Sequence, residues 1–338
     1  MGERAGLPRL LVMMPALNEE ASIAAVLGRV PRAIPGVGRV DVLVIDDGST
    51  DATVRLSRES GADVISHGRN LGVGTALQTG LNEAIRRGVD LLVNIDSDGQ
   101  FAPEDIGKIV VPVLEGRADF VTASRFLDKS LVPEMPWVKR FGNWGMARII
   151  SALCGQSFED VSCGFRCYGR EAILHLTLLG RFTYTQESFL VLTQKGLRLE
   201  EMPMVVRGVR EHGQSRIASN LWRYAWRTLG IIFSFIRDYS PGVLFNNLAL
   251  LFGLASVGLG GFFLWHRVVS GQFSPHIWAG FTSAFLFGLA TLVFGLGQIA
   301  LMVARLRTVS ERQLYLVRRY LPRLGEPPRE GQEDDGAN

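Results

Sequence analysis

Two long stretches without a charged side chain constrain the fold of this chain more than any other feature of its sequence. Lys, Arg, Asp and Glu are absent between Asp238 and Arg267, and again between Arg267 and Arg305. Each stretch is long enough to cross roughly 30 Å of hydrocarbon as a helix. The sequence therefore predicts two membrane-spanning helices, near residues 242–265 and 277–304, joined by a short connection.

The distribution of charge predicts how these helices are oriented. The net charge of the 338 residues is only +3, but arginines are concentrated before the first predicted span and directly after the second. Positive residues collect on the cytoplasmic side of membrane proteins. We therefore expect a protein of the cell membrane with two spans and with both termini in the cytoplasm. The hairpin is also a candidate surface for a homo-oligomer.

The segment before the spans, residues 217–236, has a different composition. It places Arg223 and Arg227 among tryptophan, phenylalanine, leucine and isoleucine. This pattern suits an amphipathic helix in the membrane interface, where arginines meet lipid phosphates; an ordinary amphipathic core helix is the alternative. Residues from 326 onward are acidic and rich in Gly and Pro, which is typical of a disordered tail.

The first two hundred residues alternate apolar runs with helical signals. Runs at 9–15, 40–45, 62–66 and from Leu91 predict strands, and Asn18 is expected to cap the first helix. The run from Leu91 lacks polar alternation, which is typical of a strand covered on both faces. The repeated order predicts an α/β fold, with a mostly parallel sheet and helices on both faces.

Three polar clusters follow predicted strands, at residues 15–20, 46–51 and 96–100. Ligands bind beyond the carboxyl ends of the strands in such sheets, so the clusters are expected to meet at one edge. Asp96 and Asp98 form an Asp-x-Asp pair whose oxygens suit Mg²⁺ or Mn²⁺, and such a cation can bridge the phosphates of a nucleotide. Taken alone, the pair also fits a solvated acidic turn. Gly72-x-Gly74 lacks the third glycine of a dinucleotide site.

Together these clusters resemble the inverting family-2 glycosyltransferases of the Rossmann-like GT-A fold. The nearest resemblance is to the dolichyl- and polyprenyl-phosphate sugar synthases, such as dolichol-phosphate mannosyltransferase. It covers about residues 9–220 and is carried by Pro-Ala-Leu-Asn-Glu-Glu at 15–20, Asp-Asp-Gly-Ser-Thr-Asp at 46–51, Asp-Ser-Asp-Gly-Gln at 96–100, Ser-Arg-Phe at 124–126, Ser-Cys-Gly-Phe-Arg at 162–166 and Arg-Glu-His-Gly-Gln-Ser-Arg at 210–216.

The resemblance implies a role for each matching residue. The nucleotide-sugar would be bound by Pro15, Leu17, Glu19, Val44, Asp46, Asp47, Asp96, Ser97, Asp98, Arg125, Arg210 and Arg216. Mg²⁺ or Mn²⁺ would be held by Asp96, Asp98 and Gln100. The catalytic group would comprise Asp98, Arg125, Glu187, Arg210 and Arg216, in which the arginines meet phosphates and Glu187 is the candidate base.

The resemblance also implies the reaction and the domain plan. A hexose would pass with inversion from GDP-mannose or UDP-glucose, or a similar donor, to a polyprenyl or dolichyl phosphate at the cytoplasmic face of the bilayer. The catalytic domain would occupy residues 1–210, an acceptor loop and interfacial helices 211–240, the spans 241–304, and a basic segment with its acidic tail 305–338.

Three other functions are weighed against this one. The first is a family-2 transferase that acts on another membrane-bound glycan or lipid. The second is a transporter or channel subunit with a cytosolic nucleotide-binding domain, although spans without ionisable residues offer no ion path. The third is nucleic-acid binding, which is disfavoured because the arginines flank membrane segments and form no groove with interleaved aromatics.

Overall fold

The computed structural model of the chain describes residues 6–133, 135, 137–178, 184–207, 230 and 241–324. The chain divides into two compact units. The first contains residues 1–216 together with residues 315–338, and the second contains residues 217–314. The predicted interfacial helix at 217–236 and the predicted acceptor loop lie outside the described residues, except for Gly230.

The first unit is built on one sheet of seven strands in the order β3-β2-β1-β4-β6-β5-β7. Every neighbouring pair is parallel except the two that involve β6, which runs antiparallel to both β4 and β5. The predicted mostly parallel sheet is therefore confirmed, with β6 as its one reversed strand. The strands are β1 Arg9–Ala16, β2 Arg39–Asp46, β3 Asp63–Ser66, β4 Leu91–Asn94, β5 Phe120–Ser124, β6 Arg166–Gly169 and β7 Leu199–Pro203.

Helices cover both faces of this sheet, as predicted. Successive side chains of a strand point to opposite faces. In β1, Leu10 and Val12 belong to the same buried cluster as Ile23, whereas Met13 is in close contact with Gly80. The helices of this unit are α1 Ile23–Gly28, α2 Thr53–Glu59, α3 Val73–Arg86, α4 Ile106–Ile109, α5 Val111–Leu114, α6 Trp137–Cys154, α7 Arg170–His175 and α8 Tyr184–Gln194.

The register of the sheet brings three strand ends to one edge. Ala16 of β1 lies opposite Asp46 of β2, and Met13 of β1 lies opposite Asn94 of β4. The strands are parallel, so the loops that leave them emerge together. The clusters at 15–20, 46–51 and 96–100 all follow this edge, where the sequence predicted them.

The prediction that Asn18 caps the first helix is wrong. Helix α1 begins five residues later, with Ser22 at its N-cap position. Asn18 instead has a left-handed backbone conformation (φ 55°), and its Oδ1 accepts a hydrogen bond from the amide of Thr50 at 2.8 Å. The Asn18 side chain therefore binds Thr50, 32 residues later, and does not cap the helix as the local pattern predicted.

The second unit contains most of two long helices, α9 Pro241–Ser270 and α10 Ile277–Leu324. Both are long and apolar enough to cross a membrane, and only 11% of the most apolar window of each is buried within the protein. They contact each other through small residues: Ser256 and Ser283 each donate a hydroxyl hydrogen bond to the carbonyl of the other, at 2.8 Å. Small residues allow such close approach of helices in lipid.

Helix α10 is longer than its predicted span. It continues to Leu324, and its last turns belong to the first unit and pack against α7. The Tyr315 ring stacks on His175 at 4.1 Å. The Arg318 guanidinium donates hydrogen bonds to the carbonyls of Leu174 (3.2 Å), in the last turn of α7, and Leu176 (3.0 Å), at its C-cap. The helix therefore connects a candidate span directly to the sheet-bearing unit.

Candidate active site

The two carboxylates of the Asp-x-Asp pair follow β4 at the carboxyl edge of the sheet. Asp96 lies against Gly164, where an added Cβ atom would stand 2.6 Å from Asp96 Oδ2. Asp98 is buried, and its Oδ1 accepts a hydrogen bond from the amide of Gln100 at 3.1 Å. Gly99 has a φ of 75°, a conformation that glycine adopts without steric cost. The predicted metal residues therefore share one tight turn.

The donors in this turn fit a hard divalent cation. Carboxylate oxygens suit Mg²⁺ and Mn²⁺, and the missing side chain of Gly164 leaves the space that the Asp96 carboxylate occupies. Within the described ranges, no group of three or more His, Cys, Asp or Glu side chains could hold a metal. Two carboxylates are enough for Mg²⁺ when substrate phosphates and water complete its shell. Asp96 and Asp98 are therefore the residues that would hold the ion, and a contribution from Gln100 stays a prediction.

Ser97, between the two aspartates, ties this turn to the end of β1. Its hydroxyl donates a hydrogen bond to the carbonyl of Pro15 at 2.8 Å. Its own carbonyl accepts one from the Ser22 hydroxyl at 2.9 Å. Ser97 therefore fixes the position of the aspartates relative to β1, whose end carries the half-buried residues Pro15, Leu17 and Glu19.

Asp46 ends β2, two residues after Val44, which is fully buried in the core. The Asp46 carboxylate accepts hydrogen bonds from the Ser49 amide (2.9 Å) and from the Ser66 hydroxyl (2.6 Å). Burial opposes ionisation, but the hydrogen bonds from these serines lower the pKa of Asp46. The group is therefore an anion at neutral pH, ready to accept a hydrogen bond from an N–H or hydroxyl of a ligand.

The loops after β1 and β2 are hydrogen-bonded to each other. Besides the bond between Asn18 and Thr50, the Asn18 amide donates to Ser49 Oγ at 2.9 Å, and the Glu19 amide donates to Thr53 Oγ1 at 2.8 Å. These contacts join residues more than 30 positions apart in sequence. The two polar clusters therefore form one structure at the sheet edge.

Asp47 holds a third loop in place. One of its carboxylate oxygens accepts from the amide of Leu71 and pairs with His67 Nδ1, each at 2.9 Å, and the other accepts from the amide of Gly72 at 2.8 Å. Next to it, Gly48 lies so close to Arg69 that a Cβ atom would stand 2.6 Å from the Arg69 backbone. The Asp47 carboxylate therefore braces the loop before α3; a direct role in nucleotide binding stays a prediction.

Arg125, at the end of β5, is held by a buried carboxylate that the sequence did not reveal as its partner. Its Nε and Nη2 donate to the two oxygens of Asp160 at 2.6 and 2.8 Å, and Nη2 also donates to Ser162 Oγ at 2.6 Å. Asp160 is 0% exposed and the Arg125 side chain 21% exposed. Burial opposes the charge of Arg125, but hydrogen bonds to Asp160 raise its pKa. Its next electrostatic neighbours include Asp96.

Comparison with known proteins identifies a family domain in this chain. Residues 11–177 match the description of glycosyl transferase family 2. The chain is 33% identical over 176 residues to the polyprenol monophosphomannose synthase of Mycolicibacterium smegmatis, covering 50% of this chain and 65% of that protein. Residues 11–177 form a glycosyltransferase family 2 domain.

Two further likenesses place this glycosyltransferase more closely. It is 28% identical over 215 residues to the UDP-N-acetylglucosamine–dolichyl-phosphate N-acetylglucosaminyltransferase of Methanococcus voltae, covering 58% of this chain and 84% of that protein. Its fold is similar to that of glucosyl-3-phosphoglycerate synthase from Mycobacterium tuberculosis in complex with Mn²⁺, UDP-glucose and phosphoglyceric acid. The TM-score is 0.52 at 24% identity, with 67% of this chain and 79% of that one covered. The predicted GT-A fold is confirmed.

A buried arginine joins two loops of the candidate site. Arg166, which begins β6, is 0% exposed. Its guanidinium donates hydrogen bonds to the carbonyls of Cys163 (2.7 Å), Val161 (3.3 Å) and Thr185 (2.9 Å). It therefore joins the loop that contains Gly164 to the first turn of α8.

Helix α8 carries the candidate base. Glu187 lies half-buried in its first turn, two residues after the Thr185 carbonyl that Arg166 binds. Burial first, and then the negative charge of Asp96, raise the pKa of Tyr184 at the start of the same helix. The first turn of α8 and the Asp-x-Asp turn are therefore electrostatic neighbours. Arg210 and Arg216 lie outside the described residues.

The sequence pattern gives no signal for the roles of several supporting residues. Asp160 lies just before the Ser-Cys-Gly-Phe-Arg stretch at 162–166, and nothing in its local sequence pairs it with Arg125, 35 positions earlier. Arg166 belongs to that stretch, but the sequence does not indicate that it is buried. His67 follows β3 as an isolated histidine. Gly164 does match the family pattern in the sequence. The reason for a glycine there becomes visible only in the structure, where the Asp96 carboxylate packs against it.

Proposed function

We propose that this enzyme transfers a hexose from a nucleotide diphosphate donor, of the GDP-mannose or UDP-glucose type, to a polyprenyl or dolichyl phosphate. The reaction takes place at the cytoplasmic face of the membrane and inverts the anomeric centre. The observation that carries the proposal is the meeting of Asp46, Asp96, Asp98 and Arg125 at one sheet edge, in a chain with two candidate membrane spans.

The donor half of the proposal rests on the turn after β4. Asp96 and Asp98 would hold Mg²⁺ or Mn²⁺, which when bound offsets the charge of the donor diphosphate. Asp46 is anionic and its orientation is fixed by Ser49 and Ser66, so it suits a hydroxyl or N–H group of the nucleoside. These groups lie on loops that are hydrogen-bonded to one another, and such pre-orientation lowers the cost of ordering a ligand.

The acceptor half rests on phosphate chemistry and on two relatives that are named for lipid phosphates. A phosphate monoester has a second pKa of about 6, so it is mostly a dianion at neutral pH. It can attack the anomeric carbon with little help from a base, while the bond from that carbon to the diphosphate oxygen breaks. A single displacement of this kind inverts the centre. Glu187 serves as a base only for an acceptor that must lose a proton.

Arg125 is the described cation best suited to these anions. Asp160 and Ser162 fix its guanidinium by hydrogen bonds, and 21% of its side chain remains exposed. A preorganised charge of this kind favours the transition state without a reorganisation cost at the moment of reaction. Arg210 and Arg216 are proposed as further phosphate ligands, on the family resemblance alone.

The proposal is tested by incubating membranes that contain the protein with radiolabelled nucleotide-sugars, one at a time. Label that moves into organic solvent with one donor, in a manner that requires Mg²⁺ or Mn²⁺, is the expected result. Membranes with the Asp98→Asn protein at equal abundance are the matched control and should stay unlabelled. Label that moves to protein or to a water-soluble glycan would favour a family-2 transferase with another acceptor.

The two-span topology carries its own test. Accessibility of single cysteines to an impermeant reagent, added outside the cell, should label the connection near Gly271 and leave the region of Arg312 unlabelled. Labelling near Arg312 from outside would contradict the proposal that both termini are cytoplasmic. The positive-inside distribution of arginines supports the expected result.

A further inference from the structure

Helix α6 presents an exposed aromatic stripe on the surface of the sheet-bearing unit. Trp137, Phe141 and Trp144 are 77%, 64% and 50% exposed. With Arg148 they fall at positions i, i+4, i+7 and i+11, so they lie on one face of the helix. Large aromatic side chains that share an exposed face are unusual on a water-soluble surface and mark a site of contact.

The charge of α6 indicates which kind of surface the stripe can bind. The sequence of α6 contains Lys139, Arg140 and Arg148 but no Asp or Glu. Arg140 and Arg148 are exposed, and the Arg148 guanidinium lies 5.7 Å from the centre of the Trp144 ring. Tryptophan and arginine side by side suit the boundary between lipid headgroups and acyl chains. There the apolar part of the tryptophan ring contacts acyl chains, its N–H faces the headgroups, and the arginine cation meets lipid phosphate.

The opposite face of α6 leads to the active site. Asn143 is buried and accepts a hydrogen bond through Oδ1 from Ser162 Oγ at 2.8 Å. Ser162 Oγ in turn accepts one from Arg125 at 2.6 Å. Asn143 also donates to the carbonyl of Glu159 at 3.0 Å. A single helix therefore carries the aromatic stripe on its outer face and a bond to the Arg125 network on its inner face.

From these observations we infer that the stripe of α6, defined as Trp137, Arg140, Phe141, Trp144 and Arg148, binds the interface of an anionic lipid bilayer. A chain with two candidate spans keeps a bilayer permanently within reach. Aromatic burial supplies a contact that does not depend on charge, and the arginines make it stronger on anionic lipid. The stripe belongs to the first unit and lies in a different part of the sequence from the candidate spans and the predicted interfacial segment at 217–236.

A fluorescent probe on the stripe tests the inference in the full chain. Cys163 and Cys167 are buried and Cys154 is half-buried, so NBD is attached to Phe141→Cys in a Cys154→Ser background. The protein is reconstituted in vesicles of mixed phosphatidylcholine and phosphatidylglycerol. The matched control carries NBD at Arg55→Cys on α2, where the native side chain is 64% exposed. Quenching by doxyl-labelled lipid is compared with quenching by aqueous iodide.

The emission of the probe at position 141 should be blue-shifted. Doxyl lipid should quench the probe at position 141 several-fold more than the probe at position 55, and iodide should quench the probe at position 55 more than the probe at position 141. Adding Arg140→Gln and Arg148→Gln should weaken the contact with anionic vesicles by on the order of twentyfold, at about fivefold for each arginine. Pure phosphatidylcholine vesicles should respond much less to these two changes.

Three results would overturn the inference. Equal quenching at positions 141 and 55 would show an aqueous stripe. Energy transfer between labelled copies, without doxyl quenching, would show that a second copy of the chain covers it. Protection that arises only after a polyprenyl phosphate is added would show a site for the acceptor chain instead. The readout is spectroscopic, so a transferase that fails the proposed assay leaves this result unaffected.

Discussion

Replacing Gly164 by alanine is a sharp test of how the Asp-x-Asp turn is built. The new Cβ atom would stand 2.6 Å from Asp96 Oδ2 and 3.0 Å from Oδ1. Ordinary van der Waals contact begins at 3.4 Å, so the carboxylate must retreat by about 0.8 Å. The φ angle of Gly164 is not in the left-handed region, so alanine adds a contact there and no backbone strain.

A displacement of this size is large for a site that must align charges. A misplacement of about 1 Å can lower turnover on the order of a hundredfold, and we expect kcat/KM of Gly164→Ala to fall by a factor near that. The assay is transfer of labelled sugar to a short-chain lipid phosphate in detergent, repeated over a range of Mn²⁺ concentrations. The concentration that gives half-maximal activity should rise, because the Asp96 oxygens have moved.

The matched control is Gly107→Ala in α4, where an added Cβ atom meets nothing within 4 Å. Alanine in place of a helical glycine stabilises by about 0.5–1 kcal/mol, so this variant should keep full activity and a slightly higher Tm. The reasoning is refuted if Gly164→Ala is folded and retains wild-type turnover and Mn²⁺ dependence. Loss of activity caused by unfolding would show up as a collapse of Tm.

Three further predictions concern the charges of the first unit. Asp160→Asn leaves the Arg125 cation without its buried partner and should lower the free energy of unfolding by about 3–5 kcal/mol and abolish transfer, whereas Glu59→Gln in an exposed pair should change it by less than about 1 kcal/mol in the same denaturant titration. Hydrogen bonds from two neighbouring arginines lower the pKa of Glu83 to about 2. The contribution of Glu83 to the free energy of unfolding is therefore complete above pH 4.5 and is lost as the pH falls toward 2. Glu83→Gln should make the free energy of unfolding depend less on pH in that window. Arg318→Met removes the hydrogen bonds to the carbonyls at the C-terminal end of α7 and should lower the free energy of unfolding by about 1–3 kcal/mol, measured as a fall in Tm. An unchanged Tm would show that these hydrogen bonds do not stabilise the unit.

Much of the fold was readable because its signals are local. Apolar runs predicted β1, β2 and β4 to within a residue or two, and the charge-free stretches predicted the apolar parts of α9 and α10. What failed depended on distant partners. Asn18 has a good local reason to cap a helix, but Thr50 competes for the same side chain. The reversal of β6 depends on its pairing with both β4 and β5, which no pattern in its four residues expresses.

The end of α10 could not be predicted from the sequence either. The predicted span stops at the first arginine because hydrocarbon excludes charge, but a helix itself has no reason to stop there. The turns that continue to Leu324 contact α7 through Tyr315 and Arg318, whose partners lie 144 and 142 residues earlier, and no local pattern expresses such contacts. Within the candidate site, the family resemblance named Asp96, Asp98 and Arg125, whose roles stay predictions. No sequence signal pointed to Asp160, which binds Arg125 directly, or to Asn143, which reaches it through Ser162.

The account is tested most directly by a defined reaction with purified components. The full-length protein in detergent is mixed with Mg²⁺, one nucleotide-sugar and a synthetic short-chain polyprenyl phosphate, and the lipid product is analysed by mass spectrometry and by NMR of the anomeric proton. The expected product is a lipid whose mass is that of the acceptor plus one hexose residue, with the anomeric configuration opposite to that of the donor. Asp98→Asn should give no such product. Consumption of the donor without a glycosylated lipid phosphate, or a product that retains the donor configuration, would contradict the proposed function.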